Sequence, residues 1–100
     1  MINVDITNNP NEEIIHIHGH AKYANYGNDI VCAGISMLTF TIANQILKID
    51  RKFDVFVGEN DITLKNNKCN HDINLLMETL KTGIDMVNEE YSKHIKITIK

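Results

Sequence analysis

Residues 30–49 read I-V-C-A-G-I-S-M-L-T-F-T-I-A-N-Q-I-L-K-I, with no charged residue before Lys48. Apolar side chains recur at helical spacing, which predicts an amphipathic helix. Its core face consists of Val31, Ile35, Leu38, Ile42, Ile46 and Ile49. Met37, Phe40 and Leu47 form a second apolar stripe. We expect another part of this chain or a second copy of it to cover that stripe.

The residue before this helix is Asp29, which we predict to be the N-cap because its carboxylate can accept the free N–H groups of the first turn. Cys32 then becomes the third helical residue. A helix start and a neighbouring histidine both lower the pKa of a thiol, so this position suits a nucleophilic cysteine. Asp29 also remains open as a third catalytic residue that orients a histidine.

The uncharged run of residues 30–47 has about the length of a membrane span. Its hydroxyl and amide side chains make insertion into lipid unfavourable. These side chains belong to Ser36, Thr39, Thr41, Asn44 and Gln45. We therefore expect a helix buried on several faces and no membrane partner.

Upstream of the helix, residues 2–6 alternate apolar and polar side chains, and residues 13–19 are rich in isoleucine. Both patterns predict strands, joined as a hairpin by a turn at residues 7–12 that holds the only proline. Residues 19–28 form a loop with two glycines and two tyrosines. We expect this loop to move aside for a substrate and to close over it.

Downstream, the pattern predicts two strands, a helix and a final strand. The predicted elements are strands 53–57 and 61–64 around a turn at 58–60, a polar turn at 66–70, a helix at 72–91 and a strand at 94–99. The second helix buries Ile73, Leu76, Leu80, Ile84, Val87 and Tyr91. The order β-β-α-β-β-α-β predicts an α+β fold with two helices on one side of a mixed or antiparallel sheet.

Length and charge limit the possible functions. One hundred residues suffice for one core, so we expect a single domain, residues 1–100. A net charge of −3 argues against a basic nucleic-acid surface. Residues 1–10 lack the apolar run of a signal peptide, which favours the cytoplasm and two free cysteines.

Cys32 and His20 are the candidate catalytic pair. His20 ends a predicted strand, and eleven intervening residues allow the chain to return over the helix start. There the histidine can take the thiol proton, while helix-start N–H groups stabilise an oxyanion. The alternative remains open that Cys32 is a small core residue and His20 an ordinary turn residue.

Two further patterns of histidine and cysteine residues could carry chemistry. His16, His18 and His20 alternate on one strand face and could hold zinc, but they could equally cover the exposed side of a sheet whose other side carries Ile15 and Ile17. We favour the second interpretation and expect no metal and no cofactor.

Cys69 and His71 form a rival pair, although their polar context favours a surface thiol. Tyr23 and Tyr26 can contact substrate or anchor the loop, and the sequence does not decide between these roles.

The segment G-H-A-K-Y-A-N-Y-G-N-D-I-V-C-A-G-I-S, residues 19–36, resembles the signature of the ribosomal-processing cysteine protease family Prp. The matching residues are Gly19, His20, Ala21, Tyr23, Ala24, Gly27, Asp29, Ile30, Val31, Cys32, Ala33 and Ser36. The rest of the chain agrees in layout. The resemblance maps the family's nucleophile onto Cys32 and its histidine onto His20.

This resemblance implies a cytoplasmic cysteine endopeptidase without a cofactor, usually a homodimer. Its partner would be the N-terminal peptide of a ribosomal protein precursor, the extension of large-subunit protein twenty-seven. An alternative from another class is a non-catalytic ribosome-assembly binding factor, in which Cys32 would be no more reactive than a free thiol.

Overall fold

The computed structural model describes residues 1–19 and 26–100, and side chains in the second range from Ile30 onward. Within these residues, five strands and two helices follow one another in the predicted order β-β-α-β-β-α-β. Their bounds are β1 Ile2–Asn9, β2 Glu12–His18, α1 Tyr26–Ile49, β3 Asp54–Gly58, β4 Asp61–Asn66, α2 His71–Glu90 and β5 Ile95–Ile99. The α+β prediction is confirmed.

The five strands form one mixed sheet in the order β3-β4-β2-β1-β5. The β1–β2, β2–β4 and β3–β4 pairs are antiparallel, whereas β5 lies parallel to β1. Alternate strand residues point into a core that both helices cover, among them Val4, Ile15 and Leu64, which have no exposed surface. The opposite sheet face carries polar side chains.

The first hairpin is longer than its apolar alternation indicates. Strand β1 continues to Asn9, which pairs with Glu12, so the predicted six-residue turn shrinks to Pro10 and Asn11. Backbone hydrogen bonds between strands do not require apolar side chains, and polar residues 7–9 therefore extend the ladder beyond the core.

Helix α1 begins at Tyr26, which corrects two predictions. Asp29 is the fourth helical residue rather than the N-cap, and Cys32 is the seventh, in the second turn. An acidic residue is favoured both at the cap and in the first turn, because both places face free N–H groups, so its presence does not fix the start of a helix. The free N–H groups therefore precede Cys32 by a full turn.

The buried face of α1 largely matches its predicted core face. Val31, Ile35, Ile42 and Ile46 are at most 5% exposed, whereas Ile49 is 39% exposed at the helix end. Two residues outside the prediction, Ala43 and Thr39, are also buried. The Thr39 hydroxyl donates to the carbonyl of Ile35 at 2.7 Å, which removes the cost of burying it.

Helix α2 begins at His71, with Asn70 as its N-cap. The Asn70 side chain accepts a hydrogen bond from the Ile73 N–H at 3.0 Å. The buried residues of α2 are Ile73, Met77, Leu80 and Ile84. Met77 thus belongs to the core although the predicted face omitted it, while Leu76, Val87 and Tyr91 only pack at the margin of the core.

The second apolar stripe of α1 is not covered by the described part of the chain. Met37 is 70% exposed and Phe40 is 43% exposed, and Leu47 is half-buried. The segment Ile30–Ile49 is long and apolar enough to cross a membrane, yet about a third of it is buried against the protein. The buried third contributes to the core described above. Contrary to the prediction, the helix is therefore not buried on several faces within the described residues, and its exposed stripe is available for contact.

The two helices approach closely at Gly83 of α2. A Cβ atom built on this glycine would lie 2.4 Å from Cδ2 and 3.1 Å from Cδ1 of Leu38. Gly34, in the middle of α1, offers the opposite case, since a Cβ there meets nothing within 4 Å. Alanine at position 34 therefore changes only helix propensity, whereas alanine at position 83 changes both helix propensity and the packing of the two helices.

We expect Gly34→Ala to raise the free energy of unfolding by about 0.5–1 kcal/mol, because alanine loses less backbone entropy than glycine in a helix. Gly83→Ala gains the same propensity but must displace Leu38, which costs about 1–3 kcal/mol in a packed contact. Urea unfolding followed by circular dichroism measures both. Gly83→Ala should be the less stable of the two variants.

A double-mutant cycle with Leu38→Ala controls for other effects of the substitution. In the Leu38→Ala background, Gly83→Ala should stabilise the protein as Gly34→Ala does. A Gly83→Ala penalty that persists without the Leu38 side chain would contradict this account of the contact.

Candidate active site

A cavity of about 180 Å³ lies between the first half of α1 and the end of strand β2. Helix α1 contributes Cys32, Ser36 and Phe40 to its wall. The sheet contributes His18 and Asp61, and the segments next to it contribute Gly19, just after β2, and Asn60, in the β3–β4 turn. Apolar core residues form the floor, so the cavity combines an apolar base with a polar rim. A small side chain of a peptide can enter such a site.

Cys32 is a half-buried free thiol in the wall of this cavity. It packs against the margin of the core without being enclosed by it. Inert core cysteines are usually fully buried, so the partial exposure of Cys32 favours the nucleophile over the alternative of a small core residue. Its sulfur is therefore within reach of a ligand in the cavity.

Gly19 directs the chain out of β2 at the rim of the same cavity. Its φ angle is +106°, and a Cβ atom at this position would lie 2.5 Å from the carbonyl oxygen of Met1. Its N–H donates to the carbonyl of Asn60 at 3.2 Å. Only glycine fits both the angle and the close approach. The backbone at the end of β2 therefore explains why glycine precedes His20 in the sequence.

Several predicted site residues lie outside the described part of the chain. These are His20 and Tyr23, the loop around them, and the side chains of Tyr26 and Asp29. Of the predicted pair, the structure describes Cys32. It also describes Gly19, which directly precedes His20 and lines the same cavity as Cys32. The pairing of His20 with Cys32 remains a prediction.

The remaining two strand histidines occupy the sheet face opposite the helices. His16 and His18 are stacked with ring centroids 4.3 Å apart, while Ile15 and Ile17 point into the core. This confirms the predicted alternation along β2. His18 nevertheless lines the Cys32 cavity, as does Asp61, whereas His16 is not part of its wall.

Each histidine contacts an aspartate on a neighbouring strand, which the sequence reading missed. Nε2 of His16 lies 2.7 Å from Oδ1 of Asp61, and Nε2 of His18 lies 2.7 Å from Oδ2 of Asp5. The His18 hydrogen bond holds the pKa of the Asp5 carboxyl below its usual value. Only the strand register could have revealed these partners, because they are 13 and 45 residues apart.

Cys69 is an exposed thiol, as predicted. Cys69 lines a separate cavity of about 450 Å³, but His71 is not part of its wall. His71 is almost fully exposed and lies 3.5 Å from Asp72, so the structure does not bring the rival pair together at a common cavity.

Asn60 and Phe40 line the cavity, although their sequence positions did not predict a place in the site. Asn60 sits in the β3–β4 turn with φ of +52°, and its carbonyl fixes Gly19. Phe40 was assigned to the second apolar stripe but also lines the cavity. The Gly-Glu-Asn turn was visible in the sequence, but its position beside Cys32 depends on the strand order.

Comparisons with known proteins agree with this geometry. A family model described as "Cysteine protease Prp" matches residues 1–96. The chain is 32% identical over 106 aligned residues to the "Ribosomal processing cysteine protease Prp" of Staphylococcus aureus strain Mu50, and the alignment covers both proteins completely.

Solved structures give the same result. A crystal structure of the essential ribosomal processing protease Prp from S. aureus with a substrate peptide superposes with a TM-score of 0.84, and one with a covalently linked product peptide with 0.83. Both are 30% identical to this chain and both are covered completely. SMU.848 from Streptococcus mutans, at 23% identity and a TM-score of 0.78, shares the fold and is covered to 93%.

The family match extends over nearly the whole chain and includes the cavity, the glycine at the end of β2 and the half-buried cysteine. The full-length relative is itself named a cysteine protease. The chain is therefore a cysteine peptidase and belongs to the Prp family of cysteine proteases.

Proposed function

We propose that this chain is an endopeptidase that removes the N-terminal extension from a precursor of large-subunit ribosomal protein twenty-seven. Support comes from the relatives, which are named ribosomal processing proteases and include structures with substrate and product peptides. The observation that carries the proposal is the half-buried free thiol of Cys32 in a cavity wall at the end of β2.

In the proposed reaction, His20 takes the thiol proton and the Cys32 sulfur attacks the scissile carbonyl. The resulting tetrahedral species collapses to a thioester with the extension, and the protonated histidine gives its proton to the leaving amine of the mature protein. Water activated by the same histidine then hydrolyses the thioester. The proton taken from the thiol leaves with the amine product, and the proton taken from water returns to the Cys32 sulfur as the extension departs with a new carboxyl group.

The start of α1 changes how this reaction is activated. Stabilisation by a helix start falls off within the first turn, and Cys32 lies in the second. The N–H groups of that first turn are therefore displaced from the sulfur, and the general base carries a larger share of the activation. Loss of His20 should therefore lower the reactivity of the Cys32 thiol more than it would if Cys32 lay in the first turn of the helix.

The size of the cavity limits how a peptide binds. Its volume of about 180 Å³ is below the range of roughly 300–1,000 Å³ typical of sites for whole small molecules. It suits one or two side chains next to the scissile bond. The remainder of an extended peptide must then lie on the surface along the cavity rim, where Gly19 and Asn60 present backbone groups.

We further propose that the protein acts in the cytoplasm as a homodimer. The cytoplasmic location is what the resemblance to the Prp family implies. In the second apolar stripe of α1, Met37 and Phe40 are 70% and 43% exposed, and Ile30 on the same helix is 36% exposed. A second copy placed on this stripe would bury it, as the second stripe in the sequence predicts.

Cys32→Ala should abolish cleavage while retaining fold and peptide binding, because only the nucleophile is lost. Mass spectrometry of the ribosomal precursor after incubation measures cleavage. Cys69→Ala is the matched control and should cleave like the unsubstituted chain, since Cys69 is the exposed thiol. Cleavage by Cys32→Ala at the parental rate would refute the assignment and favour a non-catalytic binding factor.

His20→Ala should reduce the cleavage rate by about 10²–10⁴-fold, the contribution of a general base. The rate of Cys32 alkylation by iodoacetamide should also fall, because the thiol loses its proton acceptor. His94→Ala serves as the control histidine. An alkylation rate that is the same in His20→Ala and in the parent would argue that the two side chains do not meet.

Met37→Lys should weaken self-association at least tenfold, since a charge would be buried in an apolar contact. Sedimentation equilibrium measures the dimer constant. Met86→Lys is a close match, because Met86 is a helical methionine with 63% exposure on α2. Equal dimer constants for both variants would place any dimer contact elsewhere.

A further inference from the structure

The outer face of the sheet, opposite the helices, brings together two histidines and two aspartates. His16 and His18 lie on β2, Asp5 lies opposite His16 on β1, and Asp61 lies opposite His18 on β4. Their side chains are about one-third exposed, at 34%, 35%, 30% and 38% respectively. The proposed peptidase reaction uses none of them.

We propose that His16, His18 and Asp5 bind one divalent transition-metal ion, with Zn²⁺ as the natural candidate, and that Asp61 orients His16 for this role. One nitrogen of each histidine and one oxygen of Asp5 lie within 4.8 Å of one another. Residues i and i+2 of a strand point to the same face, so both imidazoles are already directed to one side.

The hydrogen bonds of His16 determine which of its nitrogens is free. A carboxylate only accepts, so the 2.7 Å contact with Asp61 requires the proton of His16 to be on Nε2. In a neutral ring, the other nitrogen, Nδ1, then carries a lone pair and no proton. The Nδ1 atom lies 3.9 Å from Oδ2 of Asp5. A lone pair facing a carboxylate is favourable only when a cation lies between them.

The distances from the two histidine nitrogens to Oδ2 of Asp5 are close to the ligand–ligand distances of a zinc site. Ligands about 2.0–2.1 Å from a tetrahedral ion are roughly 3.4 Å from one another. The contact between Nε2 of His18 and Oδ2 of Asp5 would lengthen from 2.7 Å, and that between Nδ1 of His16 and the same oxygen would shorten from 3.9 Å. Both changes require the two rings to turn out of their stacked arrangement, in which the ring planes are 20° apart. The three side chains are each at least 30% exposed, which leaves room for this rotation.

The donor set also selects the kind of metal. Two imidazoles and one carboxylate suit zinc and neighbouring transition metals better than Mg²⁺ or Ca²⁺, which prefer oxygen ligands. A metal-binding histidine usually donates its other N–H to a carboxylate, which is the arrangement of His16 and Asp61. Three protein ligands leave the fourth position to water.

A metal at this position would join strands β1 and β2 directly and β4 through Asp61. Strand β2 leads into Gly19 at the rim of the Cys32 cavity. Because His18 and Asp61 also line the Cys32 cavity, the ion would lie beside that cavity and would stabilise the strands that form its sheet side. The competing explanation is that the four residues form only histidine–aspartate pairs on an exposed face, with a proton as the cation.

Calorimetric titration with Zn²⁺ tests the proposal in a chain carrying Cys32→Ala and Cys69→Ala, so that no thiol can bind the metal. We expect one equivalent of Zn²⁺ to bind. His18→Ala should abolish this binding, and Asp61→Asn should weaken it by about 10–100-fold, the usual effect of removing a partner of a metal ligand. His71→Ala removes a histidine whose side chain is 93% exposed and should bind like the parent.

Histidine ¹⁵N spectra of the same chain, without any histidine substitution, provide a test that does not depend on folding of a variant. Zn²⁺ should shift Nδ1 of His16 and Nε2 of His18 to the positions of metal-bound nitrogens, with the His18 proton moving to Nδ1. The proposal fails if zinc shifts neither ring, if His18→Ala binds zinc like the parent, or if no binding occurs at millimolar Zn²⁺.

Discussion

The close approach of backbone at Gly19 is the constraint on which the active-site region depends. A residue with a Cβ would collide with the carbonyl of Met1, and the Gly19 N–H is held by the carbonyl of Asn60. These two contacts fix the end of β2 between the start of β1 and the β3–β4 turn. The rim of the cavity beside Cys32 is made from the same backbone.

Helix α1 serves three purposes on three faces. Its buried face, which includes Val31 and Ile46, anchors it to the sheet, and Cys32 projects from the margin of that face into the cavity wall. The exposed stripe with Met37 is left for contact with another surface. Because a single rigid helix carries all three, the cysteine is positioned by the core rather than by a surface loop.

The fold was largely predictable, because strands and helices differ in the period of their apolar residues. Alternation identified both hairpins, and helical spacing identified Val31, Ile35, Ile42 and Ile46. The helix start was wrong, since Asp29 is favoured both at a cap and within a first turn. Asp5 and Asp61 were missed because their contacts with the strand histidines follow from register. His20 and Cys32 became a candidate pair through the strand end, the helix start and the spacing between them, and the family resemblance then mapped the family's histidine and nucleophile onto the same positions.

The central claim is that Cys32 forms a covalent bond with the peptide it cleaves. Intact-mass spectrometry of the enzyme, acid-quenched during turnover of a slowly hydrolysed precursor peptide, followed by digestion, measures this directly. The account predicts an added mass equal to the extension with its carbonyl in thioester linkage, located on the fragment that contains Cys32. Continued cleavage without any adduct on that fragment, or with the adduct on Cys69, would contradict it.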